Sequence, residues 1–222
     1  MTDSIQCIVF DWDGTLMDSE AQIVHCLHAS IADLGLEPMD DATVRDIIGL
    51  GLREAIDALV PGRDADFHRA FVEAYREHWF THEGSDLFAG AREVLELLKS
   101  NDILLGIATG KARRGLIRVL GETGLHDYFD ATRCSDEAVS KPHPQMLLDV
   151  MQELSVAPER TIMVGDTEYD MEMATNAGAA KIAVRSGVHT DDRLSRHNPL
   201  VCLDSVTDMP AWMSGKGYFT DL

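Results

Sequence analysis

Positive charge is scarce in this chain: 19 Lys and Arg stand against 38 Asp and Glu in 222 residues, a formal net charge of −19. That deficit argues against a nucleic-acid partner, because a phosphate backbone is held by a basic surface. It also denies an anionic ligand any long-range attraction, so a site for one needs its own local cation. Long apolar runs are missing as well. None approaches the ~18–20 residues of a spanning helix, and Met1-Thr2-Asp3-Ser4 carries no signal-peptide pattern. A cytoplasmic protein without a membrane partner is expected. Cysteines are few and scattered, at 7, 26, 134 and 202, with no C-x-x-C spacing. That removes a clustered metal or redox pair and predicts reduced thiols, with Cys7 and Cys202 in apolar runs.

What is present is an alternation. Short, nearly continuous apolar runs at Gln6–Phe10, Ile103–Ala108, Thr161–Val164, Lys181–Val184 and Val201–Leu203 read as strands covered on both faces. Helical patterns fill the intervals at Ala91–Ser100, Arg113–Thr123, Gln145–Leu154 and Glu168–Ala177. The expected class is α/β, a doubly wound parallel sheet. One interval departs from this rhythm. From about Met17 to Ser85 only helical patterning occurs, over Ala21–Leu34, Ala42–Ile48, Leu52–Leu59 and Asp66–Thr81, with turns at Gly35–Pro38 and Pro61-Gly62. The expected organisation is a core of residues 1–16 and 86–222 with a small helical domain, 17–85, inserted after the first strand.

Ligands of open α/β sheets bind at the carboxyl ends of the strands, and polar residues collect at those ends here. The first strand runs into Asp11-Trp12-Asp13-Gly14-Thr15, another into Thr109-Gly110-Lys111, and a third into Gly165-Asp166-Thr167 with Asp170 one helical turn on. Lys141 stands in Ser140-Lys141-Pro142-His143-Pro144, where the following proline favours an extended backbone. Asp11 and Asp13, two apart on extended chain, face one side. With Asp166 and Asp170 they form a hard oxygen set suited to Mg²⁺, since crowded carboxylates need a cation or a proton. Gly14 permits a tight turn that offers backbone N–H groups to an anion. Thr109 and the Gly110 N–H add donors, and Lys141 adds a counter-charge. Such a set suits metal-assisted phosphoryl transfer.

Together these segments resemble the haloacid dehalogenase superfamily, from the first strand to Asp204, with all four motifs in family order. The helical insert is similar to the C1 cap of its phosphoglycolate phosphatase and β-phosphoglucomutase branch, and Ala108–Leu116 looks most like the phosphoglycolate phosphatases. The resemblance implies a Rossmann-like core and a Mg²⁺-dependent phosphatase acting on a small phosphorylated metabolite, as a monomer or homodimer. It makes Asp11 the nucleophile that becomes an aspartyl-phosphate, and Asp13 the acid to the leaving alcohol and then the base to water. Asp11, the Asp13 backbone carbonyl and Asp166 would hold Mg²⁺. Asp170 would act through a metal-bound water or by orienting Lys141. Thr109 and Lys141 would grip the phosphoryl oxygens. Trp12, Gly14 and Gly110 complete the expected substrate-binding set, with Arg53 from the cap segment Ile47–Glu54.

Alternatives differ in what they require. A phosphomutase would use the same Asp11 and Asp13 but need a second phosphate grip in the cap, for which Arg53 is one candidate. A non-catalytic phospho-acceptor protein pairs similar residues, but a receiver domain is far shorter and lacks the helical insert. Phosphonate cleavage through a cap lysine fails because no lysine precedes Lys99. Dehalogenation suits the acidic cluster less well than metal-dependent phosphate chemistry. His78 and His82 have i, i+4 spacing but no evident third ligand, so a solvated helix face is expected there rather than zinc. Arg113 and Arg114 are expected to cover a helix terminus or pair with acidic neighbours.

Overall fold

A computed structural model describes residues 5–81 and 84–218. His82 and the first four residues therefore lie outside the described part. Its centre is β1 (Cys7–Phe10), all four residues fully buried. The alternation of side chains along a strand explains why this run must be apolar throughout. Ile8 and Phe10 enter one core cluster, Cys7 and Val9 another on the opposite face.

After β1 the chain leaves the sheet for four consecutive helices, α1 (Glu20–Asp33), α2 (Asp41–Asp46), α3 (Leu52–Leu59) and α4 (Ala65–Thr81). These share an apolar cluster of their own, built on Ile23, Leu27, Ile31, Val44, Ile56 and Phe71. The outgoing and returning chain run side by side, with Asp18 N–H on Asp86 O and Phe88 N–H on Leu16 O, each at 2.9 Å.

The alternation then proceeds through α5 (Ala91–Ser100), β2 (Leu104–Thr109), α6 (Arg113–Thr123), β3 (Ala131–Cys134), α7 (Gln145–Leu154), β4 (Thr161–Gly165), α8 (Glu168–Ala177), β5 (Ala180–Val184), α9 (Asp191–Ser195), β6 (Cys202–Leu203) and α10 (Met209–Gly215). The six strands form one sheet in the order β3-β2-β1-β4-β5-β6, and every pairing is parallel. Helices α5, α6 and α10 pack on the Ile8/Phe10 face, α7 and α8 on the Cys7/Val9 face. The class is a doubly wound α/β sheet, as expected.

The strand order reverses between β1 and β4, which opens a crevice at their carboxyl ends. Strand β3 was not anticipated. Its sequence, Ala-Thr-Arg-Cys, is half-exposed at the sheet edge, and Arg133 pairs outward with Glu153 at 2.7 Å. Cys7, Cys26, Cys134 and Cys202 are all unpaired thiols, three of them buried. No helix among the described residues is long and apolar enough to cross a membrane.

Candidate active site

The crevice is furnished by strand ends. Asp11 follows β1, and its N–H extends the ladder one residue further by donating to Val164 O at 2.9 Å. Thr109 closes β2, Asp166 follows β4, and Lys141 stands in the loop before α7. All four are buried. Asp170 is set by the start of α8: Thr167 accepts from the Asp170 N–H, while the Asp170 carboxylate accepts from the Thr167 N–H at 3.1 Å and hydroxyl at 2.6 Å. This reciprocal cap leaves the second Asp170 oxygen pointing at Lys141.

Lys141 Nζ lies 2.6 Å from Asp170 Oδ1 and 2.7 Å from Asp11 Oδ1. These are close, fully enclosed ion pairs. Oxygens of Asp11, Asp166 and Asp170 all lie within 4.8 Å of one another. Asp166 accepts from Thr15 Oγ1 at 2.9 Å and from the Val188 N–H at 3.2 Å. Three buried carboxylates thus crowd together, with one ammonium between two of them. Burial, opposed by Lys141 and reinforced by Asp170, pushes the Asp11 carboxyl up to about 7. Burial and the neighbouring Asp11 and Asp170 charges drive Asp166 well above the carboxylate range. Lys141 shows the converse. Burial alone would lower it, but Asp11 and Asp170 outweigh that and raise it, so it stays charged. Two uncompensated negative charges on hard oxygens fit a divalent cation, which removes the penalty that otherwise holds protons on the cluster.

Asp13 is placed differently. Its carboxylate lies outside the cluster, held by Ser19 Oγ at 2.5 Å and Lys111 Nζ at 2.9 Å, and it lines the cavity beside Asp11. The Asp13 side chain thus faces the cavity and is not part of the Asp11, Asp166 and Asp170 cluster.

Trp12 and Gly14 have distinct places in this turn. The Trp12 side chain does not face a ligand: it is fully buried, its indole N–H points at Met17 Sδ at 3.2 Å, and its ring packs edge-on to Phe129. The Gly14 N–H is not offered to an anion either, because it donates to Met17 O at 2.8 Å within the turn. The glycine is required for another reason. With φ +76° it brings the backbone so close that a Cβ would lie 2.4 Å from Asp166 Oδ2.

Above the cluster lies a cavity of about 720 Å³ between the helical insert and the core, with Gly110 and Arg53 in its lining. Arg53 is exposed there. The insert's loop 47–51 sits over the site: a Cβ on Gly110 would be 2.4 Å from Leu50 O, and the Gly51 N–H donates to Ser140 Oγ at 2.7 Å. At the end of α2, Asp46 is tied to the core. Tyr169 Oη donates to its backbone oxygen at 2.7 Å, and Arg193 bridges its carboxylate to Glu168. His189 stacks edge-on against Tyr169, accepts the Glu168 N–H on Nδ1 at 2.9 Å, and is held below its ordinary range by burial and by Arg193.

Lys111 was not singled out in advance as a site residue. Besides Asp13, its ammonium lies 4.5 Å from the centre of the Trp79 ring, which is stacked on Tyr75 of the same helix. Its adjacency to Thr109-Gly110 was the available signal; the cap partner was not visible in the sequence. His78 pairs with Asp33 at 2.6 Å, and Arg113 with Glu137 and Thr132, as surface roles require.

Comparison with known proteins agrees with this arrangement. Residues 8–184 match the haloacid dehalogenase-like hydrolase family. The chain is 35% identical over 208 residues to the "probable phosphatase IndB" of Dickeya dadantii, covering 91% of this chain and 90% of the relative. It is 32% identical over 193 residues to a phosphoglycolate phosphatase of Chromobacterium violaceum, covering 82% and 86%. Among solved structures, a haloacid dehalogenase-like hydrolase from Bacteroides fragilis superposes with a TM-score of 0.86 at 26% identity, over 92% of this chain and 99% of that one. With Asp11, Thr109 and Asp166 at strand ends and Lys141 in the loop before α7, this chain belongs to the haloacid dehalogenase-like hydrolases, as an enzyme of the phosphatase kind.

Proposed function

We propose that this phosphatase is Mg²⁺-dependent and hydrolyses a small phosphomonoester through an aspartyl-phosphate on Asp11. The observation that carries the reading is the buried set of Asp11, Asp166 and Asp170 around the single Lys141 ammonium, open to the cavity beside Asp13. Asp11, Asp166 and Asp170, with the Asp13 carbonyl, are the groups that would hold the cation, whose chemistry is to neutralise the transferring phosphoryl group and orient it.

The Asp11 carboxylate attacks phosphorus as the ester P–O bond breaks, and Asp13 gives its proton to the departing alcohol oxygen. Asp13 then takes a proton from water as that water attacks phosphorus and the Asp11–phosphorus link is broken. Lys141 favours the ionised form of Asp11 against the cost of burial and faces the phosphoryl oxygens, with Thr109 beside it. The helical block 17–85 acts as a cap on the core 1–16 and 86–222, excluding water from the first step.

Phosphoglycolate heads the candidate substrates by resemblance. The setting is a cytoplasmic enzyme acting as a monomer or homodimer. Turnover of p-nitrophenyl phosphate that disappears on chelation, returns with Mg²⁺ and does not return with Ca²⁺ is the expected result. Equal activity with Ca²⁺ would contradict a tight octahedral site. Rapid quench in wild-type enzyme should trap phosphate on Asp11, and phosphate found on another residue would overturn its assignment as nucleophile.

A further inference from the structure

The cavity has an outer end as well as a catalytic floor. It is walled there by two helix faces, α4 from the cap and α6 from the core, that meet across the seam. On α6, Arg114 and Arg118 share one face at i, i+4 spacing, about 6 Å apart along the axis. They continue a line of positive charge that begins with Lys111 beside Asp13. Gly115 between them leaves the floor clear, since a Cβ there would meet nothing within 4 Å. On α4, Arg76 lines the same cavity, and Phe80 is the platform on which both arginines rest, at 4.8 Å for Arg118 and 5.7 Å for Arg114.

A guanidinium laid flat on a ring keeps its N–H edge free for a planar oxyanion. Among the described residues neither Arg76 nor Arg114 has a carboxylate within 4 Å. Arg118 spends Nε on Glu122 at 2.6 Å, but its Nη1 is shielded from solvent without an acceptor. In a chain with twice as many acids as bases, Arg76 and Arg114 stand beside one cavity without a carboxylate partner among the described residues, next to the Arg118 Nη1, and can receive an anion from outside.

We propose that this rim is a distal anion subsite, so that the physiological ester carries a carboxylate or second phosphate on its alcohol, remote from the transferred phosphoryl group and received by Arg114 and Arg118. The inference rests on the phosphatase reading and sharpens it. The volume of about 720 Å³ belongs to the range that encloses ligands far larger than a two-carbon phosphate. A short ester such as phosphoglycolate places its carboxylate next to its phosphorus and leaves the rim empty.

The test uses matched series of esters: ω-phosphooxy-alkanoates of two to six carbons, the α,ω-alkanediol bisphosphates, and neutral alkyl phosphates of equal length. Binding is read by calorimetry on Asp11→Asn, and turnover separately on wild type. Anion-ended esters of four carbons or more should bind at least tenfold tighter than their neutral counterparts, with a smaller gain at two carbons. The better of the carboxylate and bisphosphate series names the second group. Arg114→Gln and Arg118→Gln should each shrink that ratio severalfold and together bring it close to one, and Phe80→Leu, which keeps both charges but removes the platform, should shrink it too. Equal binding of neutral and anion-ended esters, or variants that weaken both alike by loosening the seam, would overturn the subsite. A protein that shows the binding preference but turns over no ester would keep the subsite and refute the phosphatase reading instead.

Discussion

Lys141 is enclosed completely and meets Asp11 and Asp170 at 2.7 and 2.6 Å. A buried ion pair contributes little over an apolar substitute, but removing one partner leaves the other charge stranded, at a cost of about 3–5 kcal/mol. Lys141→Met should therefore lose turnover and unfold at markedly lower urea in chelator, and Mg²⁺ should recover part of the stability but not the activity. Asp11 gives the opposite kind of test. Its folded-state pKa, about 7, lies above its ordinary 3.8. The group's contribution is thus complete below about 3.8, where it is neutral in both states, and is lost as pH rises through about 7 and a charge is forced into the buried cluster. Metal-free Asp11→Asn should accordingly melt above wild type at pH 8, with the difference closing toward pH 5. Thermal melts of the pair across that interval check the sign, and a difference that grows as pH falls would mean the cluster is not charged as described.

At the scale of elements, α8 shows how a helix terminus can serve a site. Thr167 and Asp170 exchange hydrogen bonds that begin the helix and, in doing so, hold Asp170 toward Lys141. Losing such a cap costs about 1 kcal/mol. Thr167→Ala should show that loss in denaturant and weaken Mg²⁺ binding as well, while Thr167→Ser restores both; a loss of stability with unchanged metal affinity would separate the cap from the site. The same element explains what the sequence could convey. Gly165-Asp166-Thr167-x-x-Asp170 is legible because strand, turn and cap are all local, and β1 is legible because burial on both faces demands four apolar residues in a row. Strand β3 was invisible because an edge position lets Thr132 and Arg133 stay half-exposed, which erases the apolar run. The Trp12 ring goes to the core by the alternation of an extended chain, while its neighbours Asp11 and Asp13 face the site. The partnership of Lys111 with Trp79 joins core to insert and has no local signature at all.

For the molecule as a whole, the structure holds the insert against the core over the site. Leu50 lies over Gly110, Gly51 bonds Ser140, and Asp46 is fastened through Tyr169 and Arg193. The two chain crossings beside Asp18 and Asp86 are the covalent links between this block and the core. The fastening is polar and partly exposed, with Arg193 about a quarter and Asp46 about half accessible at their side chains. Ion pairs of that kind contribute roughly 0.2–1 kcal/mol each, enough to bias closure without locking it. That balance suits an enzyme that must close to exclude water and reopen to release an alcohol and phosphate. Arg193→Gln removes both of its ion pairs and touches neither Asp11 nor the cavity lining. Closure should then be disfavoured by about 1 kcal/mol, a factor of about 5. KM should rise by about that factor, and amide hydrogens of the loop 47–51 should exchange faster in proportion, while those of β1 and β4 do not change. Unaltered exchange in the loop, with or without a kinetic effect, would show that Arg193 does not hold the insert down.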